Sequence, residues 1–195
     1  PEGNQRYTDI LPRFHAKYAI HSNGNLRFSY ARAINRPSFF EIVPYSIINE
    51  DYKEKGNPEL KHTVADNIDL RYEFFPRSSE QLMVGLFYKN IKDPIEYGLL
   101  NEGQDTYYKP MNFGTANNWG LEVDILKYFN WLGIKANYTY TYSKITTEKR
   151  VMQGSEVTTT TQSRPLFGQA AHVANISFLL KDSKHGWEGQ LAMGY

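Results

Sequence analysis

The sequence predicts an all-β fold: an antiparallel up-and-down meander of about eight strands that is part of, or closes as, a transmembrane-type β-barrel. Three observations predict it. Polar and apolar residues alternate with the two-residue period of a strand, the apolar side of each strand stays apolar from end to end, and short and long connections alternate along the chain. A soluble sandwich also alternates, but a polar side this continuous favours a sheet that lies between two solvents.

Composition agrees with this fold class. Aromatic residues make up 15% of the 195 residues and charged residues 22%, while the mean hydropathy is negative. Outer-membrane barrels have this profile because half of each strand faces water. No run of residues approaches the roughly 18 apolar positions that a membrane helix needs. A net charge of +1 gives no field that would attract nucleic acid, and the absence of cysteine excludes disulfides and thiolate chemistry.

The alternation places eight strands and two kinds of connection. The strands are expected at about 12–20, 25–33, 65–75, 82–89, 119–125, 133–143, 174–180 and 187–195. Short turns are expected at 21–24, 76–79, 128–131 and 182–185, and long loops at about 35–64, 90–117 and 144–167. All long loops therefore lie at one end of a single barrel segment, residues 1–195. Bacterial barrels have the same asymmetry, with short periplasmic turns and long extracellular loops.

Five motifs in order carry a family resemblance. They are Arg36-Pro37-Ser38, the run 56–61 (GNPELK), the run 87–95 (FYKNIKDPI), the runs 112–116 (NFGTA) and 120–122 (GLE), and the run 136–141 (ANYTYT). Together they resemble the barrel of TonB-dependent outer-membrane receptors, especially the non-SusC receptors common in Bacteroidota.

The resemblance implies a location, a function and partners. Such barrels have about 22 strands around an N-terminal plug, whereas eight strands and no plug domain are expected here. The chain is therefore expected to be a fragment from the C-terminal half of the barrel. The complete receptor would import a scarce nutrient, such as an iron–siderophore complex or an oligosaccharide, across the outer membrane of a Gram-negative bacterium. Outer-membrane lipid and an extracellular ligand would be its partners, with TonB and the plug contacted through parts absent here. No cofactor is expected.

Two alternatives remain open from the residues themselves. Eight strands are enough for a free-standing small outer-membrane barrel. A soluble, lipocalin-like ligand-binding barrel would place the apolar side inward, and alternation shows which residues share a side but not which side is inside.

No catalytic or metal site is predicted. The five histidines are scattered and lack metal-ligand spacing. The carboxylates of Asp69 and Glu73, with Arg71 between them, and those of Glu122 and Asp124 are explained by charge pairing across neighbouring strands. The protein is expected not to be an enzyme.

The long loops supply the candidate ligand contacts. Aromatic and cationic side chains of this kind bind siderophores, sugars or peptides, and they also pack loop against loop or lie at the membrane interface. The candidates are Arg36, Phe39, Phe40 and Tyr45 in the first loop and Tyr97, Tyr107 and Tyr108 in the second.

Overall fold

The computed structural model of the chain describes residues 6–48, 53–102, 105–153, 156–182 and 184–195. The elements in chain order are β1 (Arg13–His21), β2 (Gly24–Asn35), α1 (Phe39–Ile42), β3 (Ser46–Ile48), β4 (Lys53–Lys55), β5 (Thr63–Phe74), β6 (Gln81–Lys92), β7 (Ile95–Glu102), β8 (Asp105–Asn112), β9 (Thr115–Phe129), β10 (Leu132–Gln153), β11 (Glu156–Arg164), β12 (His172–Asp182) and β13 (Trp187–Gly194). Among the described residues there is no helix with the length and hydrophobicity to cross a membrane.

The main sheet is an antiparallel meander. Its strand order is β1-β2-β5-β6-β9-β10-β12-β13, and β11 pairs with the part of β10 that extends beyond this sheet. Each of the eight predicted strands corresponds to one strand of the order, so the predicted fold class is confirmed. The sheet is open, because β1 and β13 lie at its two opposite edges. Eight strands thus do not close a barrel in the described part of the chain.

One side of the main sheet is apolar and exposed. Leu86 lies opposite Leu70 and Leu121, and the same row continues to Phe28 and Tyr140. Leu86 is 56% exposed and Leu70 41% exposed. Exposed apolar side chains in register across the whole sheet are what a lipid-facing wall requires.

The other side is polar and more enclosed. Glu73 is only 6% exposed, and Arg27 Nε lies 2.6 Å from its Oε1. Arg71 Nη2 lies 3.3 Å from Glu122 Oε2. The first pair joins the neighbouring strands β2 and β5, whereas the second crosses β6 at Gly85 and joins β5 with β9. Both are charge pairs between strands, as the sequence predicted for Glu73 and Glu122, whereas Asp69 and Asp124 accept hydrogen bonds from Ser29 and Gln81. Because the polar side is the enclosed one, the exposure is the reverse of that expected for a lipocalin-like barrel.

The long connections contain more regular structure than the alternation predicted. The first carries α1, β3 and β4, the second carries β7 and β8, and the third consists largely of the extended end of β10 together with β11. Strands β3-β4-β8-β7 form a separate sheet, hereafter the connection sheet, in which β4 and β8 run parallel. The fourth predicted turn, 182–185, includes residue 183, which lies outside the described residues.

Candidate functional site

A pocket lies where the three long connections meet. Its volume is about 430 Å³. The polar and aromatic side chains of its lining come from all three connections and are Glu41, Glu96, Tyr97, Tyr108, Arg164, Phe167 and Gln169. Because every long connection leaves the same end of the main sheet, the meander itself brings these distant segments together.

Two tyrosines form the aromatic wall of the pocket. Tyr97 of β7 and Tyr108 of β8 stack with their ring centroids 5.0 Å apart and an interplanar angle of 22°. Both rings remain partly exposed. Burial, together with the nearby negative charges of Glu41 and Glu54, raises the pKa of Tyr97 above its usual value. The phenol therefore stays protonated and can donate a hydrogen bond at neutral pH.

Glu96 attaches the third connection to the connection sheet. Its carboxylate pairs with the guanidinium of Arg164 and accepts a 3.3 Å hydrogen bond from the Phe167 N–H. The neighbouring Leu166 N–H donates to Ser143 Oγ at 2.8 Å. The segment that follows β11 is thus fixed to β7 on one side and to β10 on the other.

A capping box positions Glu41 at the pocket. Ser38 Oγ accepts a hydrogen bond from the Glu41 N–H, and the Glu41 carboxylate accepts a 2.6 Å hydrogen bond from the Ser38 N–H. Further along the connection, the Gly56 N–H donates to the Tyr45 carbonyl. A Cβ at Gly56 would lie 1.8 Å from the Val43 oxygen, so only glycine permits this backbone approach.

The remaining predicted contacts are not among the residues that line the pocket. Tyr45 donates a 3.0 Å hydrogen bond to Glu54. Burial of the phenol, and secondly this hydrogen bond, raise the pKa of Tyr45. Lys55 and Lys53 lie over the ring of Tyr107 at 5.1 and 6.0 Å. The other three are Arg36, which lies 5.5 Å over the ring of Tyr7, and the exposed, edge-to-face pair of Phe39 and Phe40.

Tyr97 and Tyr108 are therefore the predicted contacts that line the pocket. Sequence reasoning missed Glu41, Glu96 and Arg164. The Ser38-x-x-Glu41 spacing was a readable signal for the first. The pairing of Glu96 with Arg164 spans 68 residues and leaves no local signal.

The polar side of the main sheet carries a second depression. Its volume is about 340 Å³, and its lining includes Arg71, Gln81, Glu122, Asp124 and Asn137. Gln81 donates a 2.6 Å hydrogen bond to Asp124. Within the described residues no group of three or more His, Asp or Glu side chains could hold a metal ion. The depression is a wall of paired charges and amides.

An open sheet with an exposed apolar side, an ion-paired polar side and long connections at one end is the wall of an outer-membrane β-barrel. The chain belongs to the outer membrane protein beta-barrel family, whose sequence pattern matches residues 2–195. The predicted location in the outer membrane of a Gram-negative bacterium is confirmed.

Solved structures show the same fold. The siderophore receptor PirA from Pseudomonas aeruginosa superposes with a TM-score of 0.60 at 16% identity, over 94% of this chain and 41% of that one. A variant of the ferric enterobactin receptor PfeA from the same organism, in complex with enterobactin, gives 0.55 at 16% identity over 89% and 33%. PirA from Acinetobacter baumannii gives 0.53 at 14% identity over 89% and 35%. The chain thus spans between a third and two fifths of these receptors. No curated protein matches it.

Proposed function

We propose that the chain is part of the barrel of a TonB-dependent outer-membrane receptor that imports a scarce nutrient, such as an iron–siderophore complex or an oligosaccharide. The pocket between the three long connections carries this proposal. It lies at the end of the sheet that faces the cell exterior in outer-membrane barrels, where a receptor first meets its ligand. Its stacked tyrosines and its Glu96–Arg164 pair supply flat apolar surface beside polar groups.

The incomplete coverage of the receptor structures supports a larger parent barrel. The chain covers 33% of PfeA and 41% of PirA from Pseudomonas aeruginosa, and its sheet has two free edges. Further strands, a plug and the TonB contact are therefore proposed to belong to parts of the receptor outside this sequence. Its motifs resemble those of the Bacteroidota-type, non-SusC receptors, and the parent protein is proposed to be one of them. The role is binding and transport rather than catalysis.

The ligand is proposed to contact Tyr97 and Tyr108 first, with Tyr45 behind them. Arg36, Phe39, Phe40 and Tyr107 are proposed as further contacts within the first and second long connections. A free-standing eight-stranded barrel would need β1 to pair with β13, which lie at opposite edges of the sheet.

Uptake by the intact receptor tests the proposal. A strain that depends on this receptor is given ferric enterobactin as the first probe, because PfeA binds it, and then a panel of oligosaccharides. If the proposal is right, at least one of these compounds is imported by wild-type cells and is not imported by cells that lack TonB. Import that is independent of TonB would contradict the transporter class.

A pair of variants tests the pocket itself. Tyr97→Leu removes half of the aromatic stack and is expected to weaken binding of the imported probe by up to about tenfold. Phe129→Leu is the matched control, because this exposed aromatic side chain ends β9 at the short-turn end of the main sheet, opposite the long connections. Equal losses in both variants would argue against the pocket as the ligand site while leaving the transport function intact.

A further inference from the structure

The lipid-facing side of the main sheet ends in an ordered boundary below the long connections. Its last apolar row, in register across five strands, is Tyr30, Ile68, Tyr88, Trp119 and Tyr142. Aromatic side chains of this kind collect at the level of lipid headgroups. The residues that follow this row therefore face the headgroups of the outer leaflet.

The next row toward the cell exterior is polar. It reads Arg32, Asp66, Asn90, Asn117 and Lys144 in register on the same side of the sheet. Lys92 lies two residues beyond Asn90 on β6, on the same side of the sheet and opposite Thr115 of β9.

The two ends of this polar row differ in charge. Arg32 is neutralised, because its guanidinium donates to both carboxylate oxygens of Asp66 at 3.0 and 3.2 Å. Lys92 and Lys144 are exposed. The charge of Lys92 interacts with that of Asp66, which is already paired with Arg32, but no carboxylate of the described residues is within salt-bridge distance of either ammonium. Two positive charges thus face the headgroup layer around β9.

An amide lies between the two lysines. Asn117 Oδ1 accepts hydrogen bonds from the Tyr88 hydroxyl at 2.9 Å and from Asn90 Nδ2 at 2.8 Å. Both bonds fix the orientation of the side-chain amide. Its Nδ2 has no acceptor among the described residues, and remains available as a hydrogen-bond donor.

We propose that Lys92, Lys144 and the amide of Asn117 form a binding site for the phosphate groups of a lipid in the outer leaflet. Phosphate oxygens accept strong hydrogen bonds from ammonium and amide groups. The lysines stand on β6 and β10 with β9 between them and a two-residue offset, about 12 Å apart along the sheet. Two flexible lysine side chains can close around one headgroup at this spacing, while the acyl chains lie against the aromatic row below.

Binding of a lipid with and without its phosphates tests the site. The intact receptor in detergent is titrated with bisphosphorylated lipid A and with dephosphorylated lipid A of identical acyl chains, and bound lipid is counted by native mass spectrometry. Each lysine near an anionic headgroup is worth a factor of about five. The phosphorylated form is therefore expected to bind on the order of tenfold to thirtyfold more tightly. Equal binding of the two forms by the wild-type receptor would overturn the proposal without any variant.

Three double variants locate the effect. Lys92→Gln with Lys144→Gln is expected to bind both lipids equally, whereas Lys92→Arg with Lys144→Arg keeps the preference and shows that charge, not folding, is responsible. Lys89→Gln with Lys135→Gln removes the same charge from the polar side of the sheet and is expected to change nothing. A preference that survives in the first variant, or disappears in the third, contradicts the site.

Discussion

The main sheet and the connection sheet are specified by different physical causes. Every strand of the main sheet separates an apolar medium from a polar one, so the same alternation repeats along the sheet and holds its register. The connection sheet has short strands, three residues long in β3 and β4, and depends on single contacts. Asn57, for example, is buried and its Nδ2 donates a 2.9 Å hydrogen bond to the Pro110 carbonyl.

The two sheets are therefore encoded differently in the sequence. In a sheet with lipid on one side and water on the other, the apolar-polar alternation repeats at every second residue, and many single substitutions leave it intact. A sheet held by individual side chains has no such repetition, so one substitution can remove it. A substitution in the main sheet is therefore expected to change the stability of the whole sheet, whereas one in the connection sheet is expected to loosen that sheet alone.

The largest effect is expected where the main sheet faces lipid. Leu86→Arg places a charge in the middle of β6 on the apolar side and is expected to cost about 2–4 kcal/mol in a bilayer. Denaturant unfolding of the protein in phospholipid vesicles measures the cost.

Met83→Arg is its matched control on the same strand. Met83 lies on the polar side with Glu73 and Asp124 as its cross-strand neighbours, so a new cation there is expected to be tolerated. Equal costs for the two arginines would mean that the two sides of the sheet have been assigned wrongly.

The next largest effect is expected where neighbouring strands of the main sheet pack most closely against each other. A Cβ at Gly120 would lie 1.9 Å from the Tyr140 carbonyl oxygen and 2.6 Å from the ring of Phe87. Gly120→Ala is therefore expected to cost about 1–3 kcal/mol through overpacking. At Gly189 the nearest atom, from Leu180, is 3.9 Å away, and Gly189→Ala is expected to be nearly neutral. The difference between the two unfolding free energies is the measurement.

The main sheet could be predicted from sequence because each of its strands has lipid on one side and water on the other, which requires apolar and polar residues to alternate. Residues 133–143 alternate without interruption, and they form the first half of β10. Beyond Ser143 the same strand continues to Gln153, but there the strict alternation stops, and the apolar residues are Ile145, Val151 and Met152. Outside the membrane a strand no longer separates lipid from water, so alternation does not mark where the strand ends.

The pocket could be predicted only in part. Aromatic side chains in long loops are a sound reason to expect ligand contacts, and Tyr97 and Tyr108 do line the pocket. Its charged wall could not be found in the same way. Glu96 and Arg164 meet because two connections leave the same end of the sheet, and this proximity is a property of the whole topology.

The third prediction concerns the connection sheet. Asn57→Ala removes the donor to the buried Pro110 carbonyl, and an unsatisfied buried acceptor costs about 1–3 kcal/mol. Hydrogen exchange is expected to rise in β4 and β8 and to stay unchanged in β5 and β6. Asn175→Ala, which removes an exposed amide bonded to Asn137, is the control and is expected to leave all four strands protected. Exchange that rises throughout the main sheet would show that the two sheets unfold together.

The smallest effect is expected at the opposite end of the main sheet, in the short turn before β6. The Glu80 carboxylate is buried there and accepts a 2.8 Å hydrogen bond from Lys127 Nζ. It also accepts a weaker one from the Tyr128 N–H. The hydrogen bond from Lys127, followed by that from Tyr128 and by the charges of Lys127 and Arg77, lowers the pKa of Glu80. The turn between β5 and β6 is thus tied to the end of β9 by the ionised form of one side chain.

A lowered pKa gives this contact a defined pH dependence. Its stabilisation is complete above the unfolded-state pKa of about 4.3 and is lost as the pH falls through the lower, folded-state value. The wild-type protein is therefore expected to lose more stability than the Glu80→Gln variant when unfolding is measured between pH 6 and pH 3, since other carboxylates titrate in both. Parallel stability curves would show that Glu80 does not hold the turns together by its charge. The stability of the short-turn end would then come from strand pairing and from the lipid and water on its two sides, and not from this ion pair.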